Sequence, residues 1–152
     1  MVKVFVTVGT YPYPFQRLVD GAAKLPTDWD VVVQWGHAEG GGLKGAPFLD
    51  FPTQLQHMKD ADVVVTTGGE TVTEILLLGK MPVVVPRKES EGEHVNDHQV
   101  AFAHYMAERG WAIRGDNNLQ EAIERAAKSL PEKKAREGNL KTAIRNWLED
   151  DS

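Results

Sequence analysis

The 152-residue sequence contains no cysteine, which excludes disulfide bonds and thiolate metal sites. Aromatic residues make up only 8% of it and its four tryptophans are scattered, so it lacks the aromatic platform of a single-strand nucleic-acid binder. Positive charge is also scarce. Because the formal net charge is -5, we expect no nucleic acid among the partners.

Long hydrophobic runs are missing as well. No apolar run approaches the roughly 20 residues that a membrane-spanning helix needs, and residues 1–8 lack the apolar core and cleavage site of a signal peptide. We therefore expect a soluble, cytoplasmic protein that another molecule would have to hold at a membrane. A hydrophobic content of 41% and this length are typical of one globular domain, which we expect to span residues 1–152.

Short runs rich in β-branched residues alternate with helical patterns along the chain. Because these runs are continuously apolar and bounded by Gly, Pro or Asp, they are typical of buried parallel strands. The alternation predicts an α/β fold, a Rossmann-like open parallel sheet with helices on both faces. The predicted strands cover residues 2–8, 31–34, 63–66, 83–85 and 111–114.

Helical spacing and capping residues predict the connecting helices. Residues 39–42, together with Gly45, are rich in glycine and predict a mobile loop. Pro131 begins a terminal amphipathic helix within residues 130–152, whose apolar stripe packs on its own domain, on a partner protein or on an anionic membrane. The other predicted helices cover residues 15–24, 55–60, 71–78, 96 or 97 to 109, and 119–129.

Ligands of open parallel sheets bind beyond the carboxyl ends of the strands. The turn at residues 66–71 follows the third predicted strand and places Thr67, Gly68 and Gly69 before a helix. Paired glycines let backbone N–H groups approach a phosphate at the helix N-terminus, although a tight turn without a ligand explains the same glycines. The spacings of the dinucleotide fingerprint and the Walker loop are absent after the first strand, which disfavours NAD and ATP.

Two carboxylates begin the helix that follows this turn. Glu70 and Glu74 are four residues apart, so they project from nearly the same face. A carboxylate there can accept two hydrogen bonds from a ribose diol, but acids also favour helix N-termini because of the helix dipole. We favour the ribose interpretation for Glu74, which is embedded in an apolar stretch. A glycosidase pair is disfavoured, since its carboxylates must face each other across a cleft.

Residues 87–99 form a polar loop that is too long for a simple strand-to-helix connection, and loops of that kind are often functional. Asp97, His98 and Gln99 at the start of the next helix offer donors and acceptors to a hydroxyl-rich ligand, or else form a solvated capping turn. His94, Asp97 and His98 have the chemistry of metal ligands, but Gly92 and the helix cap disfavour the register that such a site needs. We therefore expect no metal.

Five segments, in order, resemble the C-terminal domain of MurG-type glycosyltransferases. The resemblance is closest to free-standing forms of that domain, in two-subunit N-acetylglucosaminyltransferases and in bacterial capsule or exopolysaccharide transferases. It covers residues 1–127. The segments are VTVGT at 6–10, FQRLV at 15–19, GGETVTEI at 68–75, GKMPVVVP at 79–86 and EHVNDHQ at 93–99.

This resemblance implies one half of a GT-B architecture, the half that binds a UDP-sugar. By position in the family, Glu74 holds the ribose hydroxyls, and His98 with Gln99 reads the sugar hydroxyls. In MurG two glutamines match His98 and Gln99, so the resemblance leaves the donor sugar open. The residues that match the family's diphosphate contacts are Gly9, Thr10, Thr67 and Gly68.

The resemblance also implies a partner. In this family a membrane-anchored subunit supplies the catalytic base and binds a polyprenyl-diphosphate-linked acceptor, so we expect the chain to be recruited to the inner face of the membrane and to transfer negligibly by itself. No cofactor is expected, because backbone N–H groups and a helix dipole can meet the charge of the leaving UDP without a metal. The alternatives are a self-contained homodimeric transferase, a non-catalytic scaffold or regulatory subunit, and half of a nucleotide-sugar epimerase.

Overall fold

Six strands form one sheet in residues 2–129, the part of the chain that the computed structural model describes. They are β1 (Lys3–Thr7), β2 (Asp30–Gln34), β3 (Lys44–Ala46), β4 (Val63–Thr66), β5 (Val83–Val84) and β6 (Ile113–Arg114). Their order is β3-β2-β1-β4-β5-β6, and all neighbours are parallel. The Rossmann-like parallel sheet expected from the sequence is therefore confirmed.

Five α-helices lie between or after these strands within the described residues: α1 (Gln16–Ala23), α2 (Phe51–Asp60), α3 (Glu70–Leu77), α4 (His98–Glu108) and α5 (Leu119–Ala127). Each corresponds to a predicted helix. Helix α2 begins earlier than the predicted residue 55. Asp50 accepts a hydrogen bond from the backbone of Thr53 at 2.9 Å and so caps a helix that begins at Phe51. The terminal helix expected within residues 130–152, and with it the full extent of the domain, lies outside the described residues.

The helices cover both faces of the sheet because successive strand residues point to opposite sides. Val4 and Val6 of β1 pack in one cluster with side chains of α1 and α5. Phe5, which lies between them, packs in another with Met58 of α2 and Ile75 of α3. On this second face, helix α4 covers β5. The contacts there join Val72, Leu76, Val84, Phe102, Ala103 and Met106.

The edge strand β3 corrects the prediction of a mobile loop that extends through Gly45. Lys44 and Gly45 have little intrinsic preference for strands, so the pattern gave no strand signal. The backbone nevertheless pairs with β2, and Gly45 lies opposite Val33 at a φ of 141°. A Cβ atom on Gly45 would lie 1.9 Å from the carbonyl oxygen of Val33, so the close approach of the two backbones requires glycine.

We expect Gly45→Ala to lower the free energy of unfolding by about 1 kcal/mol or more, because the new methyl group must push β3 away from β2. Gly42→Ala is the matched control. No atom lies within 4 Å of a Cβ at Gly42, and this change should alter stability by less than about 0.5 kcal/mol. Urea unfolding of both variants measures the difference, and equal stabilities would contradict the packing described for β3.

Candidate functional site

The strand order reverses between β1 and β4, which opens a crevice at their carboxyl ends. The loop after β1 begins with Gly9, half-buried at a φ of 73°, and the exposed Thr10. The turn after β4 holds Thr67, which is buried, and Gly68 and Gly69, which are half-buried. The structure thus places these five sequence-predicted residues at the ends of two neighbouring strands.

A buried polar pair supports the loop after β1. The Thr7 hydroxyl accepts hydrogen bonds from the backbone N–H of Gly9 at 3.2 Å and from the side-chain amide of Gln34 at 3.3 Å. Gln34 in turn accepts from the backbone of Leu49 at 3.0 Å. Both Thr7 and Gln34 are almost fully buried, so the sheet itself fixes the path of the chain into Gly9.

The N-terminus of α3 points into the crevice without a side-chain cap. Gly68 and Gly69 have φ values of 132° and 80°, and Gly69 occupies the N-cap position, where glycine has no side chain to accept from the first N–H groups of the helix. These N–H groups and the positive end of the helix dipole are the features that bind phosphates. The geometry of the turn is therefore compatible with a bound diphosphate.

Glu70 and Glu74 lie one turn apart on α3, as predicted. Glu70 is exposed, whereas Glu74 is half-buried between the buried Thr73 and Ile75. Among residues 2–129, no hydrogen bond or ion pair engages the carboxylate of Glu74. A half-buried acceptor that no other described residue uses is suited to receive hydrogen bonds from the hydroxyl groups of a ligand.

Gln99 faces the crevice from the first turn of α4. Its Oε1 atom accepts a hydrogen bond from the backbone N–H of Arg87 at 3.0 Å, which fixes the orientation of the amide because a backbone N–H can only donate. The NH₂ group is then the end of Gln99 available to a ligand. The side chain also lies against the glycine turn, since a Cβ on Gly68 would come within 3.9 Å of Gln99.

The three residues just before Gln99 make different contacts at the start of α4. Asn96 lies just before the N-cap residue of α4, and its side-chain oxygen accepts from the backbone N–H of His98 at 2.9 Å. Asp97 occupies the N-cap position of α4, but its carboxylate accepts from the backbone of Glu89 at 3.0 Å and so fastens the loop. His98, half-buried, is the first residue of α4 and lies next to Gln99.

His94 packs within the loop. Its ring lies parallel to the ring of Tyr11, with centroids 4.3 Å apart and an interplanar angle of 3°. Its Nδ1 atom accepts from the backbone of Asn96 at 3.3 Å. Within residues 2–129, no group of three His, Asp or Glu side chains is arranged to hold a metal ion. The metal-independent site expected from the sequence stays a prediction.

The environment of His94 disfavours its charged form. Burial is the largest cause of its lowered pKa, followed by the positive charge of Arg87 and by His98. A histidine whose ordinary pKa is about 6.5 is therefore neutral here at pH 7. A neutral ring can accept the hydrogen bond from Asn96 at Nδ1, as the geometry requires.

Sequence reasoning missed Arg87, which it treated as part of a polar loop. Its side chain is fully buried under the loop. Its guanidinium donates to the carbonyl oxygens of Val8 and Tyr13, each at 2.7 Å, and to that of Glu93 at 3.3 Å. The only signal in the sequence is its position, directly after the buried strand β5 and Pro86. Burial lowers the pKa of Arg87 to about 10, so the group remains charged at neutral pH.

The chain matches the family model for the glycosyltransferase family 28 C-terminal domain over residues 3–147. Three solved structures share its fold, and at these identities they establish the fold alone. The kitacinnamycin glycosyltransferase is 24% identical with a TM-score of 0.59, and the calicheamicin glycosyltransferase CalG4 is 20% identical with a TM-score of 0.60. MurG from Acinetobacter baumannii is 21% identical with a TM-score of 0.54.

The chain corresponds to only part of each of these structures. The matches cover 98%, 98% and 93% of the chain, but only 39%, 37% and 49% of the respective structures. This coverage agrees with the expectation that the fold is one half of a GT-B architecture. No curated protein sequence matches the chain. None of the helices in residues 2–129 has the length and hydropathy needed to cross a bilayer.

The lowered pKa of His94 predicts a loss of stability in acid. As the pH falls through about 6.5, the unfolded chain binds a proton at this residue before the folded chain does, so the free energy of unfolding decreases. His94→Phe keeps a ring against Tyr11 and removes the titrating group. We expect its unfolding free energy to fall less between pH 8 and pH 5 than that of the wild type, measured by urea titration; parallel pH profiles would contradict this account.

Proposed function

We propose that this chain, which belongs to the family of glycosyltransferase family 28 C-terminal domains, binds the UDP-sugar donor of a hexosyl transfer. The observation that carries the proposal is the reversal of strand order between β1 and β4, the point at which ligands of such sheets bind. The uncapped N-terminus of α3, the carboxylate of Glu74 and the amide of Gln99 lie around it. These groups have the chemistry to hold a diphosphate, a ribose and a sugar.

The diphosphate would lie between the two glycine-containing loops. Backbone N–H groups at Gly9 and Thr10 on one side, and at Gly68 and Gly69 on the other, would surround its oxygens together with the positive end of α3. When the glycosidic bond breaks, negative charge develops on the departing UDP. Fixed N–H groups and a helix dipole stabilise that charge without reorganising, so the site has no need of a metal ion.

The ribose and the sugar would be held by side chains on helices. Glu74 has two carboxylate oxygens to accept from the 2′- and 3′-hydroxyls of the ribose. Gln99 presents its NH₂ group and can donate to a hydroxyl of the sugar, with His98 beside it. Because both side chains are placed by regular helices, their separation is set by the fold.

The transfer step needs a base that this site does not provide. A hydroxyl oxygen of the acceptor attacks the anomeric carbon, the bond between that carbon and the diphosphate oxygen breaks with its electron pair going to UDP, and the hydroxyl proton passes to a base. Among the site's titratable residues, His94 is stacked on Tyr11 and Asp97 accepts from the backbone of Glu89. Glu70 is exposed at the start of α3, and His98 is assigned to the sugar with Gln99. Glu74 is assigned to the ribose. We therefore place the base on a second subunit.

The second subunit would be membrane-anchored and would bind a polyprenyl-diphosphate-linked acceptor. The chain would be cytoplasmic and would meet this subunit at the inner face of the membrane, in the manner of capsule or exopolysaccharide transferases built from two chains. The solved structures that share the fold are larger than this chain, which matches 37% to 49% of them, and this leaves room for an acceptor-binding half.

Calorimetric titration of the chain with UDP, and with UDP-glucose, UDP-galactose and UDP-N-acetylglucosamine, tests donor binding. We expect binding that is unchanged by magnesium and that Glu74→Ala weakens about tenfold to hundredfold, the usual value of hydrogen bonds to a charged group. Glu124→Ala, at an exposed site on α5, is the matched control and should bind UDP like the wild type. Absence of UDP binding by the folded wild-type chain would reject the donor assignment.

A second experiment tests the need for a partner. The purified chain is incubated with a radiolabelled UDP-sugar and a polyprenyl-diphosphate-linked saccharide, and labelled lipid is counted. We expect negligible product from the chain alone, because it lacks the base, and product after addition of membranes that contain the partner subunit. Efficient transfer by the chain alone would reject the two-subunit model, and light scattering would then show whether a homodimer is responsible.

A further inference from the structure

The loops that carry the proposed donor-binding groups are fastened to each other by one buried guanidinium. Arg87 donates to Val8 and Tyr13, which flank the Gly9–Thr10 turn, and to Glu93, which precedes the segment that ends at Gln99. Its own backbone N–H donates to Gln99. The same residue therefore contacts the predicted diphosphate loop and the predicted sugar-binding segment.

The geometry of these contacts depends on the shape of the arginine side chain. Its planar fork reaches carbonyl oxygens that belong to different loops, and the rings of Tyr11 and Phe15 lie 5.4 Å and 5.0 Å from its central carbon. Lysine has a single nitrogen on a flexible stem, so it retains the charge but cannot reproduce this arrangement of donors. Exchange of Arg87 for lysine thus separates the effect of the arrangement of the donor groups from the effect of the positive charge.

A second connection to the loop before α4, nearer the surface, is an ion pair. The Arg17 guanidinium, on α1, binds the Glu93 carboxylate through two bonds of 2.9 Å and 3.1 Å and donates to the carbonyl of Pro86 at 3.1 Å. Glu93 also accepts from the backbone of Lys88 at 3.0 Å. Its side chain is only 5% exposed, while that of Arg17 is 32% exposed, so solvent screens this pair less than a fully exposed one.

We infer that Arg87, assisted by the Arg17–Glu93 pair, is a positioning residue that holds the Gly9–Thr10 turn in place for the diphosphate and the start of α4 in place for the sugar of one donor. The inference rests on the proposed donor function. We place no contact between Arg87 and the donor, since its two terminal nitrogens donate to backbone carbonyls. Its Nε atom is buried and has no hydrogen-bond partner among the described residues. Its effect on the ligand passes through the two loops.

The inference predicts which part of the donor loses affinity. Uridine contains the ribose but lacks the diphosphate and the transferred sugar, so its binding depends on Glu74 and not on the position of the two loops. UDP depends also on the position of the Gly9–Thr10 turn, and the tightest UDP-sugar of the panel depends on the positions of both that turn and the start of α4. Loop displacement should lower the ratio of UDP affinity to uridine affinity, whereas general loss of structure should lower both affinities together. Uridine binding is measured by NMR titration, and UDP binding by calorimetry.

Arg17→Met is the first variant, because Arg17 is about one-third exposed and methionine keeps the packing of its stem. Arg114→Met is the matched control. Arg114 makes the equivalent two-bond pair with Asp116, at 2.7 Å and 3.2 Å, and the side-chain exposures of 31% and 7% nearly equal the 32% and 5% of Arg17 and Glu93. Both variants therefore lose an ion pair of the same burial.

We expect Arg17→Met to weaken UDP binding about tenfold while the dissociation constant for uridine stays within about twofold, and Arg114→Met to change neither. Arg87→Lys should show the same pattern with a larger loss of UDP affinity. If Arg87→Lys does not fold, Arg17→Met decides the question. A wild-type ratio of UDP to uridine affinity in Arg17→Met, or an equal loss of both, would overturn the inference. Failure of the wild-type chain to bind UDP would instead overturn the donor function.

Discussion

The reversal of strand order between β1 and β4 is the constraint on which the site depends. Parallel strands need crossover connections that return the chain to the same end of the sheet; here a helix lies in each connection except the one between β2 and β3. The chain leaves β1 towards β2 and β3, then returns to the other side of β1 at β4. The loops that leave the carboxyl ends of β1 and β4 therefore diverge, and the crevice between them is a consequence of topology.

Buried polar contacts then fix the loops that topology has separated. Thr7 and Gln34 hold the path into Gly9 from within the sheet, while Arg87 ties that loop to the segment before α4. A buried charge is costly unless it is compensated. Here three backbone carbonyls accept from the terminal nitrogens of Arg87 and the negative charge of Glu93 favours its charged form, although Nε has no partner among the described residues. The arrangement leaves the loops ordered before any ligand arrives, which reduces the entropy lost on binding.

The fold could be predicted where burial and local pattern agree. The apolar runs of β1, β2, β4 and β5 and the capped helices between them left clear signals in the sequence, and Glu74 and Gln99 lie on helices that were predicted. The edge strand β3 was missed because backbone pairing, not side-chain pattern, holds Lys44–Ala46 in place. Arg87 was missed because a charged residue in a polar segment gives no local sign that its partners are carbonyls more than seventy residues away.

The position of the site's groups also bears on the proposed division of labour between subunits. In a displacement at the anomeric carbon, the leaving diphosphate and the attacking hydroxyl occupy different sides of the sugar. The N–H groups of the glycine loops, the end of α3 and Glu74 all lie where the nucleotide would be held. Groups in these positions would stabilise the charge of the leaving group and so support departure of UDP. Activation of the nucleophile requires a group on the other side of the sugar. A second subunit that closes the crevice from that side would supply the base and exclude water from the reaction at the same time.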